Sequence, residues 1–130
     1  NVEIGRDVSY AELKSIYAVV VISIGALNDR RLEIPGEDLD GVYGSAAFVA
    51  WYNGLPAARD LDPHLDGGSL VIIGNGNVAL YIARLLGKTT EELAASDLCA
   101  HAREKLAATS FSDIWLVGRR SPLEVSFTTA

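Results

Sequence analysis

A chain of 130 residues, 49% apolar and 22% charged, suits one ordinary domain with a modest core and excludes wholesale disorder or a fibrous repeat. No apolar run approaches the ~20 residues of a spanning helix, and a single cysteine, Cys99, excludes an internal disulfide. The net charge of −6 is uneven, with 5 basic and 10 acidic groups in residues 1–65 against 6 and 7 in residues 66–130; an acidic chain repels phosphate backbones, which argues against nucleic-acid binding.

The chain has no methionine and opens on Asn1, with Val2 and Ile4 already alternating like a strand. No basic, apolar-cored leader is visible. The expectation is a piece of something longer.

Ser9-Tyr10-Ala11-Glu12 has the form of a capping box and predicts a short helix over about 10–16. Tyr17 to Ile22 is a continuous β-branched run, which predicts a strand buried on both faces, ending at Ser23-Ile24-Gly25. Residues 26–44 are polar and turn-rich, a linker or covering loop. Ser45 is placed to cap a helix over about 46–53 carrying Phe48, Trp51 and Tyr52, and Asn53-Gly54 with Pro56 stop it. Residues 57–69 form another polar connection.

Leu70 to Ile73 predicts a second buried strand. Gly74-Asn75-Gly76 turns it into a helix from about Asn77 to Leu86, which Gly87 ends. Thr89-Thr90-Glu91-Glu92 offers another capping box. Asp97 to Ala108 predicts a long helix with Leu98, Ala102 and Leu106 on one face, and Phe111 to Val117 a third strand before the turn Gly118-Arg119-Arg120-Ser121-Pro122. Strand, linker with helix, strand, helix, helix, strand is an α/β order with a parallel sheet. It is a Rossmann-like βαβ pattern with too few parts for a whole enzyme.

Gly74, Gly76 and Ala79 make a G-x-G-x-x-A pattern between a buried strand and an amphipathic helix. The first glycine allows the tight turn, the second lets backbone approach a pyrophosphate, and the small third residue lets helix and sheet close up. The helix N-terminus supplies amides and a partial positive charge. An NAD site places a carboxylate at the end of the next strand. Here that strand ends in Arg119-Arg120, which cannot accept from a ribose hydroxyl but can fork onto a 2′-phosphate; the pattern therefore selects NADP. The spacing from Gly74 to this strand end is roughly 45 residues instead of the usual ~20, which a two-helix crossover explains.

His64 and His101 read as surface or half-buried side chains, and no His, Cys and carboxylate cluster has metal-ligand spacing. Trp51 and Tyr52 read as packing residues. Glu37, Asp38, Asp40 and Asp60 read as a solvated acidic face.

Gly76-Asn77-Val78-Ala79 with Ala83-Arg84, Val117-Gly118-Arg119-Arg120 with Pro122, Ile34-Pro35-Gly36-Glu37 and Trp51-Tyr52-Asn53-Gly54 together resemble the adrenodoxin reductase family of ferredoxin–NADP reductases, over essentially the whole chain. The resemblance implies a central fragment. Residues 1–31 would be the end of a first FAD-domain segment, with Val19–Gly25 its last strand; residues 32–130 would be the N-terminal part of an inserted NADP domain. It implies FAD and NADP as cofactors, a ferredoxin or adrenodoxin as partner, and electron flow from NADPH through FAD, with the fragment alone inactive. By resemblance, Asn75, Gly76, Asn77 and Val78 contact the pyrophosphate and Arg119 and Arg120 the 2′-phosphate. Val2 meets the FAD adenine and Gly25 passes near the flavin. No residue of the chain is assigned a catalytic role. Localisation would be mitochondrial, or the bacterial cytoplasm for a bacterial relative.

Where the family has Gln, Asp and Gly, this chain has Asn75, Tyr81 and Ser121. A flavoprotein like the small subunit of glutamate synthase, or a non-catalytic nucleotide-binding domain, remains as an alternative. Residues 1–31, parted from their sheet neighbours, are expected to expose strand edges through which two copies can pair.

Overall fold

The computed structural model describes residues 2–26, 28–119, 121 and 124. In chain order the elements are α1 (Tyr10–Ile16), α2 (Ser45–Tyr52), β1 (Ser69–Ile73), α3 (Asn77–Leu86), α4 (Thr90–Ala94), α5 (Ala100–Ala107) and β2 (Asp113–Val117), with a 3₁₀ turn at Pro56–Ala58. Among the described residues the sheet is β1 and β2, parallel, with Ser69 opposite Asp113 and Ile73 opposite Val117. A crossover of three short helices joins them. The expected α/β class and parallel pairing are therefore present.

The core lies between the helices and one sheet face. Phe48 and Trp51 of α2, Ile82 of α3, Leu93 of α4 and Ala102 and Leu106 of α5 form one buried cluster, with Ile72 of β1 packed against it. Leu98, Ala102 and Leu106 do share an inward face, but the helix begins at Ala100 rather than Asp97. The Cys99 amide donates to the Tyr52 carbonyl at 3.3 Å, so the backbone there is tied to the end of α2. The stretch 57–69, expected to be only a polar connection, also supplies Ala58, Pro63 and Leu65 to the interior.

Two expectations of buried strands fail. Tyr17 to Ile22 is not a strand: Val21 is 82% exposed, and among the described residues no strand pairs with the run. β-Branched residues favour extended backbone, but a strand exists only when a neighbour takes its amides and carbonyls. For the same reason Val2 and Ile4 form no strand; Ile4 makes only an isolated bridge to Val8. β1 is buried on one face, not two. Leu70 and Ile72 turn toward the helices, while Val71, Ile73, Trp115 and Val117 stand on an exposed apolar face.

The capping boxes of α1 and α4 form as expected. Ser9 N–H donates to Glu12 Oε2 at 2.8 Å and Glu12 N–H to Ser9 Oγ at 3.2 Å. Thr89 and Glu92 repeat the exchange. α2 is capped differently. Its N-cap is Gly44, without a side chain, and Ser45 is already helical. The carboxylate of Asp29 reaches across instead, accepting from Ala46 N–H at 2.6 Å and Ala47 N–H at 3.0 Å. A Cβ on Gly44 would overlap that carboxylate, so glycine is needed there. Asp29→Ala is expected to cost about 1 kcal/mol, the usual worth of a cap, and to lower the urea midpoint without changing the slope. An unchanged midpoint would show that α2 holds without it.

Of the acidic residues of the linker, Glu37 and Asp38 find partners within it. Glu37 accepts from Leu32 N–H at 2.7 Å and Glu33 N–H at 2.8 Å, and the Leu32 amide is the main reason its carboxyl lies below the usual range. Asp38 pairs with Arg31 at 2.5 Å. Asp40 lies 3.3 Å from His64 Nδ1. Glu37 thus shapes its turn, while Asp38, Asp40 and Asp60 lie on a solvated face as expected.

Candidate dinucleotide site

The Trp51-Tyr52-Asn53-Gly54 run is explained by packing. Trp51 is 3% exposed and stacks near Phe48, with ring centroids 5.4 Å apart. His101 stands edge-on to it and its Nε2 lies 3.0 Å from the Trp51 carbonyl. Asn53 ends α2 and donates from Nδ2 to the Val49 carbonyl at 2.9 Å. Gly54 has φ +69, and a Cβ there would meet Cys99 Sγ at 2.5 Å. Both conditions call for glycine. No chemistry is placed on this run.

The glycine turn lies at the C-terminal end of β1, the edge where ligands meet open α/β sheets. Gly74 has φ +142, a conformation that L side chains rarely adopt, and its missing Cβ would stand 3.6 Å from that of Ala79. Ala79 is buried. The first and third small residues therefore do what the pattern requires: one makes the turn and the other lets α3 close onto it. At Gly76 nothing beyond its two chain neighbours stands within 4 Å of where a Cβ would point, so that side of the turn is open to the rest of the fold. Gly76 is the N-cap of α3 and has no side chain to cap it. Asn77 and Val78 lie exposed in the first turn of α3. Asn75 is half-buried and leans on Gly118.

β2 brings the second part. Gly74 N–H donates to the Val117 carbonyl at 2.8 Å, which ties the glycine turn to the end of β2. Gly118 and the exposed Arg119 follow directly. The structure thus puts Gly74–Ala79 and Arg119 at the same sheet edge, although the chain separates them by the whole crossover. Arg120 lies outside the described residues. Val2 is exposed, and Gly25 has φ +63 with nothing within 4 Å of where a Cβ would stand. Both lie in the stretch that contributes no strand to the sheet. Tyr81, in place of the family's Asp, is 64% exposed; it does not pack into the core.

Surface hollows occur elsewhere. One is bounded by His64, Leu65, Asp66, Lys105 and Thr109, and a second by Leu86 to Glu91 with Phe111 and Ile114. The second lies at the far end of α3 from Gly76. In the first neighbourhood Lys105 pairs with Asp62, and that hydrogen bond holds the Asp62 carboxyl below its ordinary range. Among the described residues no group of His, Cys, Asp or Glu could hold a metal ion. No helix among them is long and apolar enough to cross a membrane.

Sequence reasoning missed the Asp29 cap and the lodging of Asn75 against Gly118. Each joins residues far apart in the chain, and no local spacing announces them.

No family model matches the chain. Among curated proteins it is 50% identical over 128 residues to human mitochondrial NADPH:adrenodoxin oxidoreductase, covering 98% of this chain and 26% of that protein. It is 46% identical to the mitochondrial enzyme of the same name from Arabidopsis thaliana, covering 98% and 27%. To the NADPH-ferredoxin reductase FprA of Mycobacterium tuberculosis it is 44% identical, covering 99% and 28%. The solved structure of that FprA in complex with NADPH superposes with a TM-score of 0.82 at 44% identity, again over 99% of this chain and 28% of the other. The chain therefore spans about a quarter of the length of the curated relatives it matches. In sequence and in fold it is a homologue of a quarter-length stretch of the NADPH:adrenodoxin oxidoreductases and of the bacterial NADPH-ferredoxin reductase FprA.

Proposed function

We propose that this chain supplies the NADP-binding βαβ unit of an NADPH-oxidising flavoprotein that reduces a ferredoxin-type partner. The observation that carries this reading is the meeting of the Gly74–Ala79 turn and Arg119 at one sheet edge. The cradle fits a pyrophosphate. Gly74 makes the turn, the space over Gly76 is open, and the N-terminus of α3 offers its amides and positive dipole end. Gly76, Asn77 and Val78, with the backbone of Asn75, would hold the pyrophosphate; Arg119 and Arg120 would hold the 2′-phosphate.

FAD, implied by the family resemblance, would accept the hydride when bound and pass its electrons on. This chain's own part is to bind and orient the nicotinamide nucleotide. Val2 and Gly25 remain proposed flavin-side positions, in a first unit of residues 1–31; residues 32–130 form the NADP-binding unit. Asp29, on the first side of that boundary, docks on α2 of the second. The identity to adrenodoxin and ferredoxin reductases favours this reading over the glutamate-synthase-like alternative. A mitochondrial location is proposed from the mitochondrial relatives, a bacterial cytoplasmic one from FprA.

Titration of the 130-residue chain with NADP and with NAD tests the site. Preference for NADP is expected, and equal or absent binding would count against it. The bare apolar run at Val19 to Ile24 and the exposed face of the sheet support self-association through unpaired edges. Sedimentation should then show dimers growing with concentration; a monomer throughout would refute this.

A further inference from the structure

Asn75 does not extend its side chain into the open cradle. A Cβ built on Gly118 would overlap Nδ2 and Cγ of Asn75 and lie 2.5 Å from its Oδ1. The carboxamide therefore rests on the backbone of Gly118, in the space a side chain would fill. Asn75 is half-buried there. Its two chain neighbours aside, Gly76 has nothing within 4 Å in the corresponding direction. The glycine turn is thus joined to the end of β2 twice: by the bond from Gly74 N–H to the Val117 carbonyl at 2.8 Å, and by the Asn75 carboxamide lodged on Gly118. Arg119 is the next residue.

Two phosphate-reading parts, one on each strand end, must sit at one separation to engage the 5′-pyrophosphate and the 2′-phosphate of the same adenosine ribose. The backbone bond fixes the strands to each other. It does not fix the turn that leaves β2, because Gly118 is free of side-chain sterics on its own account. The carboxamide supplies that constraint.

We propose that Asn75 is a positioning residue: its carboxamide, wedged on Gly118, sets the spacing between the glycine turn and Arg119, and so the discrimination between a 2′-phosphorylated and an unphosphorylated dinucleotide. The proposal rests on the NADP reading above. It differs from the direct phosphate contact that the resemblance implies, since the side chain acts on the protein and not on the ligand.

The test is a double-mutant cycle on the whole chain with N75A, G118A and N75A/G118A. Calorimetry would follow binding of four probes: NADP, NAD, 2′-AMP for the arginine turn alone, and ADP-ribose for the cradle alone. Circular dichroism and melting check the fold. G118A should weaken NADP about tenfold, within the coupling range of contacting residues, because its methyl expels the carboxamide. N75A should weaken NADP similarly, with 2′-AMP and ADP-ribose nearly unchanged. The double variant should be no worse than N75A, since the carboxamide that the methyl displaces is then already gone. Additive losses would overturn the proposal. So would an N75A loss shared by ADP-ribose, which marks direct ligand contact, or by 2′-AMP, which marks damage to the arginine turn. N75A adds no atoms, so it keeps the test in force if G118A folds poorly. A wild-type chain without NADP preference overturns the NADP reading and this proposal together; preference with additive losses overturns this proposal alone.

Discussion

Trp51→Ala should remove about 3–5 kcal/mol of stability, the usual cost of truncating a buried aromatic, and leave much of the chain unfolded at 25 °C. Trp51 is 3% exposed and stands where α2, α5 and the 58–65 stretch converge. Its ring contacts Phe48, and His101 of α5 lies edge-on at 5.7 Å. Ala102, wholly buried one residue on, is small and cannot grow into the gap. Domains of this size hold roughly 5–15 kcal/mol in all, and this one has its large apolar residues divided. Val19, Val21, Ile22, Ile24, Val71, Ile73 and Trp115 all stay exposed, so they add nothing to the folded side. A low total leaves little reserve for the loss of Trp51. In urea, with a slope of about 1–3 kcal/mol/M, the midpoint should fall by at least ~1 M or vanish. A shift under ~0.3 M would mean that the α2–α5 cluster is not the centre of stability.

What could be read from the sequence follows how local each cause is. The turn at Gly74 to Ala79 is written in six adjacent residues, and the structure gives Gly74 its φ of +142 and Ala79 its burial as that pattern demands. The same holds for the two capping boxes, where Ser9 with Glu12 and Thr89 with Glu92 close over three residues. Parallel pairing was legible too, because a crossover of helices between two apolar runs admits little else. The 17–22 run is the opposite case. Its β-branched residues state a preference, but the partner that would make it a strand is absent from the sheet. Burial of both faces of β1 failed for a related reason: the described helices cover one side only. Local sequence could not show Asp29 capping α2 either, since a glycine N-cap with Ser45 beside it reads as self-capping. In the site, the location of Arg119 beside the glycine turn came from topology, whereas the lodging of Asn75 on Gly118 is visible only in the folded chain.

The R119A/R120A variant should bind NADP and NAD with nearly equal affinity. A hydrogen bond to a charged group contributes about 1.5–3 kcal/mol; Arg119 is exposed, which lowers that through solvent screening. A net preference of about 1–3 kcal/mol in the wild type, roughly fivefold to 150-fold, is then expected. The charge distribution permits it. Residues 66–130 carry 6 basic against 7 acidic groups, so the half that reads the phosphate is close to neutral while the acidic excess lies in the other half. The preference should also shrink with salt, because the Debye length falls from about 10 Å at 0.1 M to about 3 Å at 1 M. Trp115 offers a signal. It is 59% exposed on β2, four residues before Arg119, whereas Trp51 is buried in the helical core. R119K/R120K keeps both charges but loses the planar fork, and should fall between wild type and the alanine pair. That ordering separates the fork from mere positive charge. If the lysine pair matched wild type, net charge at the end of β2 would be enough. If the alanine pair kept the full preference, the 2′-phosphate would be read elsewhere, and the arginines after Gly118 would be no more than a solvated turn.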